Sequence, residues 1–117
     1  MIDDEPLMTR FVAQSLKRAG FENVVCLNNP QDALAEISRL KPDLVLLDIV
    51  MPGISGLDLR AAIKNDSQFA DISILMLSAA NKKSKYESLN LGAVDFINKP
   101  VDAGDLVKRV RKALRVI

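Results

Sequence analysis

The sequence predicts a doubly wound α/β domain, a parallel five-stranded sheet with helices on both faces. Three observations carry that reading. Short β-rich apolar runs alternate with helical patterns along the whole chain. The strand runs are continuously apolar instead of alternating in and out, as strands covered on both faces are. And 117 residues without internal repeat, low-complexity tract or linker fit a single core over residues 1–117.

The elements follow in order. Met1-Ile2 read as the end of a first strand, short against a mean strand of about five or six residues, so either upstream residues are missing or the first strand is truncated. A real truncation would cost the neighbouring strands a shared partner and invite domain swapping. Residues 6–19 place Met8, Val12, Leu16 and Ala19 at helical spacing, open on Pro6 and stop at Gly20. NVVCL at 23–27 is the second strand, and Ala33, Leu34, Ile37 and Leu40, between Asn29-Pro30 and Pro42, mark the second helix. DLVLLD at 43–48 is the third strand; Leu57, Ala61 and Ile63 mark a shorter third helix. ISILML at 72–77 and AVDFIN at 93–98 are the last strands, with helices at 82–91, ended by Gly92, and at 103–115.

Composition excludes several classes of function. The absence of histidine removes Ser-His and Cys-His nucleophile pairs and His-ligated metals, leaving carboxylates, hydroxyls, lysine and hard cations. The single Cys26 rules out an internal disulfide or a Cys-rich zinc site, and its setting in VVCL predicts a small buried core residue. Sixteen basic against fifteen acidic residues give no global drive toward nucleic acid or membrane. No run nears the roughly 18 apolar residues of a membrane span, and MIDDEP is acidic where a secretory signal would be basic. The expectation is a cytoplasmic protein with no direct nucleic-acid or membrane binding.

One charge stands out. In LVLLDIVMPG, Asp48 ends a run of aliphatic residues, and taking an unpaired carboxylate out of water costs several kcal/mol. Sheets of this kind bind ligands outside the carboxyl ends of their strands, and the residues at those ends are Asp3-Asp4, Asp48, Ser78 and Lys99-Pro100. Neighbouring strands lie about 4.8 Å apart, so adjacent first and third strands would crowd three carboxylates. Their pKa values must rise or a cation must join them, and all-oxygen ligation suits Mg²⁺. Such a set could accept a phosphoryl group, with Asp48 attacking, metal and Lys99 neutralising the equatorial oxygens, and Ser78 donating a hydrogen bond. Taken singly each residue has a plainer role, as a helix cap, a turn former, a strand-end hydroxyl or a solvated lysine. Their joint occurrence at successive strand ends is what points to chemistry.

The motifs DDEP, PDLVLLDIVMPGISG, ILMLSA and GAVDFINKP, in this order and separation, resemble the receiver domain of bacterial response regulators over essentially the whole chain. The resemblance implies the flavodoxin-like strand order 2-1-3-4-5 and a phosphoacceptor, not an enzyme in its own right, although it would assist its own phosphotransfer. It implies that Asp48 takes the phosphoryl group from a histidine kinase or phosphotransfer protein. It implies Asp4, Asp48 and the main-chain carbonyl of Val50 as ligands of Mg²⁺, with Mn²⁺ as a substitute and Asp3 acting through a bound water. Ser78 matches the switch hydroxyl, Phe96 the switch aromatic, and Lys99 the phosphate-binding lysine, whose bond to Pro100 is expected to be cis.

By the same resemblance, a face built from the fourth helix, fifth strand and fifth helix controls a downstream effector domain or protein, or a homodimer. It carries Lys82, Lys83, Lys85, Lys108, Arg109, Arg111, Lys112 and Arg115, either a match for an acidic partner or a solvated surface. Met8 and Phe11 are either an apolar contact for a kinase helix or core. Val50 and Ala80 occupy the positions that tune phosphoryl lifetime; both are apolar, which predicts slow self-hydrolysis. Two alternatives are a receiver-like interaction module that never carries phosphate, against which the complete acidic set argues, and a flavin-binding domain of the same fold. The second is disfavoured because carboxylates, not a phosphate-cradling loop, follow the first strand.

Overall fold

The computed structural model describes residues 1–51, 53–79 and 95–114. They form helix α1 (Pro6–Arg18), helix α2 (Ala33–Leu40), strand β1 (Leu44–Asp48), a short hairpin of β2 (Val50–Met51) and β3 (Ile54–Ser55), helix α3 (Gly56–Asn65), strands β4 (Ser73–Ala79) and β5 (Asp95–Lys99), and helix α4 (Ala103–Leu114). β1, β4 and β5 make one parallel sheet in that order, with Asp48 beside Leu77 and Ala79 beside Lys99.

Side-chain alternation along these strands separates two apolar layers. Val45 and Leu47 of β1, Met76 of β4 and Phe96 of β5 face a layer closed by Ile37 of α2 and Leu59 and Ile63 of α3. Leu46, Leu75, Leu77 and Ile97 face the opposite layer, closed by Val12 and Leu16 of α1 and Leu106 and Val110 of α4. Helices therefore cover both faces, as the continuous apolar runs require.

The edge beyond β1 departs from the expectation of five regular strands. Ile2 joins Leu47 on one side and Leu27 on the other through single parallel bridges. Ile2 N–H donates to Leu46 O (2.8 Å), Asp48 N–H to Ile2 O (3.1 Å) and Leu27 N–H to Met1 O (2.8 Å). Among the described residues, Leu27 is the one member of the run 23–27 that is bridged, to Ile2. This edge position also overturns the expectation for Cys26, which is exposed, its Sγ donating to Thr9 O at 3.4 Å. Leu34 and Leu40 are partly exposed as well, because eight residues of α2 bury only Ala33 and Ile37. The expected helix at 82–91, with its three lysines, and Ala80 and Arg115 lie outside the described residues.

The hairpin was not foreseen. Gly53 takes φ +79°, a conformation that favours glycine. Gly56 has a different constraint: its N–H donates to Ile49 O at 2.8 Å, and a Cβ there would lie 2.1 Å from Asp48 O. Ser55 then caps α3 by accepting from Leu57 N–H at 3.2 Å. The chain downstream of Asp48 is thus folded back tightly against the end of β1.

Candidate functional site

β1 delivers Asp48 to the carboxyl end of the sheet, where the side chain stays only 2% exposed. Lys99, the last residue of β5, comes from two strands away, a spacing of about 10 Å. It leans over β4 to place Nζ 2.9 Å from Asp48 Oδ1. The same oxygen accepts a longer bond from Val50 N–H, 3.4 Å. The expected cis bond between Lys99 and Pro100 is present.

The acidic pair comes from the turn between Ile2 and α1. Asp3 is fully buried. Its N–H donates to Leu27 O (3.1 Å), its Oδ1 accepts from Glu5 N–H (3.0 Å), and its main-chain O accepts from Asn28 Nδ2 (2.8 Å). Its Oδ2 has no hydrogen-bond partner. One carboxylate oxygen each from Asp3, Asp4 and Asp48 lie within 4.8 Å of one another.

Three acids and one lysine leave a buried excess of negative charge. Desolvation pushes the Asp3 carboxyl up to about 7; the Glu5 N–H opposes the rise, the charge on Asp48 adds to it and Lys99 subtracts. A divalent ion would relieve the same excess. Ligands on an octahedral Mg²⁺ lie about 3–4 Å apart at bonds near 2.1 Å, so a cluster this tight, with a buried oxygen unpartnered, fits such an ion. Hard oxygen donors also suit Mn²⁺.

The remaining expected residues fall around this centre. Ser78, 2% exposed, stands one residue past Leu77, the neighbour of Asp48, and beside Asn98 of β5. Phe96 is 2% exposed in the core layer under the sheet, paired with Met76 and three residues before Lys99. Val50 follows Asp48 by two residues with its side chain 68% exposed. Met8 is half-buried against the core whereas Phe11 is 41% exposed and Leu7 76%, so the apolar edge of α1 is Leu7–Phe11, not Met8–Phe11. Arg109 of the basic helix face is bound by two acids, Asp95 (2.6 Å) and Asp105 (3.0 Å), rather than freely solvated.

Sequence reasoning overlooked Asn28 and Thr9, which hold the acidic turn from behind. The signal was available: Asn28 is the first polar residue after VVCL, and so stands at a strand end like the residues that were recognised.

A parallel sheet covered on both faces, with three carboxylates and a lysine converging at its carboxyl end, defines a class of α/β domains with an acidic site suited to a divalent cation. Comparison with known proteins resolves the class to a family: residues 1–111 match the response regulator receiver domain, and the chain belongs to that family. The phosphate regulon transcriptional regulatory protein PhoB of Pseudomonas aeruginosa is 41% identical over 118 residues, covering 98% of this chain and 50% of that protein. The sensory transduction protein RegX3 of Mycobacterium tuberculosis is 35% identical over 98% of this chain and 49% of its own length. The chain thus spans about half the length of these relatives. Among solved structures, the signal receiver domain of a DNA binding response regulator from Colwellia psychrerythraea superimposes with a TM-score of 0.85 at 25% identity, covering 97% of this chain and 94% of that one. A chemotaxis response regulator of Vibrio cholerae does so at 0.82 and 27%, covering 96% and 93%. The fold is the flavodoxin-like receiver fold, with helices on both faces of a parallel sheet. Among the described residues no helix is long and apolar enough to cross a membrane.

Proposed function

We propose that this receiver domain takes a phosphoryl group from a phosphohistidine onto Asp48 and transmits the change to a partner. The observation that carries the reading is the buried Asp48 carboxylate held 2.9 Å from Lys99 and gathered with Asp3 and Asp4 into one cluster. An Asp48 oxygen forms a bond to phosphorus as the donor's N–P bond breaks, and the departing imidazole takes a proton from solvent and leaves neutral. Lys99 neutralises the carboxylate before transfer and can pair with a phosphoryl oxygen afterwards.

Asp4, Asp48 and the main-chain carbonyl of Val50 would hold Mg²⁺, or Mn²⁺, with Asp3 reaching it through water; bound there, the ion supplies positive charge against the phosphoryl oxygens. The chain's own part is to position that cluster and to exclude bulk water from beneath it. Ser78, one residue beyond the neighbour of Asp48, donates its hydroxyl to a phosphoryl oxygen.

The phosphoryl group adds about −1.5 to −2 charges at the sheet end. Ser78 moving toward it vacates space for Phe96, and the two states differ in population only by as much as they differ in these contacts. β5, α4 and the expected helix at 82–91 form the output face, toward an effector domain, an effector protein or a second copy. Exposed Leu7 and Phe11 on α1 form the docking edge for a histidine kinase or phosphotransfer protein. The five-stranded 2-1-3-4-5 order, with residues 23–27 as the edge strand and Met1-Ile2 between it and β1, and a cytoplasmic setting belong to the same reading. So does slow self-hydrolysis, since apolar Val50 and Ala80 cannot orient a water.

The test is incubation with acetyl phosphate and Mg²⁺ followed by intact-mass measurement. A gain of one phosphoryl group that disappears with EDTA is expected. An unchanged mass under conditions where the fold is intact would leave an interaction module that never carries phosphate.

A further inference from the structure

Asp3 is fixed at three of its four polar atoms, and one of the three clamps comes from a side chain that no role has been given. Asn28 Nδ2 lies 2.8 Å from Asp3 O and 3.1 Å from Thr9 Oγ1. The Thr9 hydroxyl lies 3.0 Å from Pro6 O. The proton count closes in one way only. A main-chain carbonyl can only accept, so Thr9 donates to Pro6 and its oxygen is left to accept from Asn28. Both hydrogens of the Asn28 amide are then committed, one to Asp3 O and one to Thr9 Oγ1.

Together with Leu27 O on Asp3 N–H and Glu5 N–H on Oδ1, this leaves Oδ2, buried and unpartnered, as the one uncommitted polar atom of the residue. Asn28 therefore ties the turn that carries Asp3 and Asp4 to the first turn of α1, behind the carboxylate cluster.

We infer that Asn28 is a positioning residue for the divalent-ion site, acting through its two amide hydrogens on Asp3 and Thr9. The inference rests on the reading that the Asp3–Asp4–Asp48 cluster holds such an ion. Groups behind metal ligands that orient them typically change affinity by about 10- to 100-fold when removed.

Asn28→Asp separates orientation from charge. An aspartate has no hydrogen to give, so it faces Asp3 O and Thr9 Oγ1 with repelling oxygens and releases the turn. Yet it adds a negative charge near the cluster, which on electrostatics alone would tighten cation binding.

The measurement is the Mg²⁺ dissociation constant of the 117-residue chain by calorimetry, alongside thermal unfolding without metal. Orientation by Asn28 predicts weaker binding, about tenfold for Asn28→Ala and Asn28→Asp and less for Thr9→Val, with Thr9→Ser near wild type. Ile63→Val, in the core layer away from the cluster, is the control: it lowers the unfolding temperature and leaves the dissociation constant unchanged. Tighter or unchanged binding in Asn28→Asp would overturn the proposal, as would Thr9→Val and Asn28→Ala losing affinity only in proportion to lost stability. If Asn28 variants do not fold, Thr9→Val carries the test alone, with unchanged affinity as the refuting result. Failure of the wild-type chain to bind Mg²⁺ would instead refute the site itself.

Discussion

The sharpest consequence of the carboxylate cluster is an inverted pH dependence of stability without metal. Most paired acids stabilise a fold as pH rises; Asp3 should do the opposite. Its carboxyl titrates at about 7 in the folded protein, against 3.8 for the ordinary group. Between those values the folded state binds more protons than the unfolded one, so stability falls with rising pH across roughly pH 4 to 7. A full shift corresponds to about 4 kcal/mol at 1.36 kcal/mol per unit, and relaxation around the site reduces this to the order of 2–4 kcal/mol. Asn at position 3 cannot ionise, so Asp3→Asn should be more stable than wild type by that amount at pH 8 in EDTA and by no more than about 1 kcal/mol at pH 4.5. Other titrating groups cancel in the difference. Excess Mg²⁺ should restore wild type at pH 8 by about 2.7 kcal/mol at a hundredfold over its dissociation constant, and do much less for the variant. Urea unfolding followed by circular dichroism at the two pH values reads all of this. An Asp3→Asn difference that is flat with pH, or larger at pH 4.5, would refute the reasoning.

Three other outcomes follow from particular contacts. Gly56→Ala places a Cβ 2.1 Å from Asp48 O, and since the obstruction is backbone, urea unfolding should show a loss of about 3 kcal/mol or more; a loss under 1 kcal/mol would mean that the hairpin after Asp48 does not pack this way. Lys99→Met keeps the apolar stem but removes the cation 2.9 Å from Asp48; phosphorylation by acetyl phosphate should fall at least tenfold while Mg²⁺ still binds, and unchanged labelling would remove Lys99 from the chemistry. Phe11→Asp changes a side chain 41% exposed at the edge of α1; transfer from the kinase should slow at least tenfold with less than about 1 kcal/mol lost in unfolding, and parallel loss of both would assign Phe11 to packing.

The α/β alternation was legible because it depends on local periodicity: Val12, Leu16, Ile37, Leu47 and Met76 all lie in the layers that their spacing indicates. The convergence of Asp3, Asp4 and Asp48 was legible because a parallel sheet brings strand ends together whatever the loops do. What failed is what depends on neighbours. Cys26 sits in an apolar run that looks buried in isolation, but among the described residues only Leu27 of that run is bridged, to Ile2, and Cys26 is exposed. The hairpin at Val50–Ser55 escaped because it depends on Gly56 lying against the backbone of Asp48 and Ile49, a close approach of main chain to main chain with no periodic signature. For Arg109 the pairing with Asp105, four residues back on the same helix, is legible from spacing, whereas Asp95 reaches it from β5 and is not.

The most direct measurement is to locate the phosphoryl group. After acetyl phosphate and Mg²⁺, reduction of the acyl phosphate followed by peptide mapping should mark Asp48 alone, and Asp48→Asn should carry no label while still folding. A mark on Asp3, Asp4 or a hydroxyl residue in the wild-type chain, or full labelling of Asp48→Asn, would contradict the account.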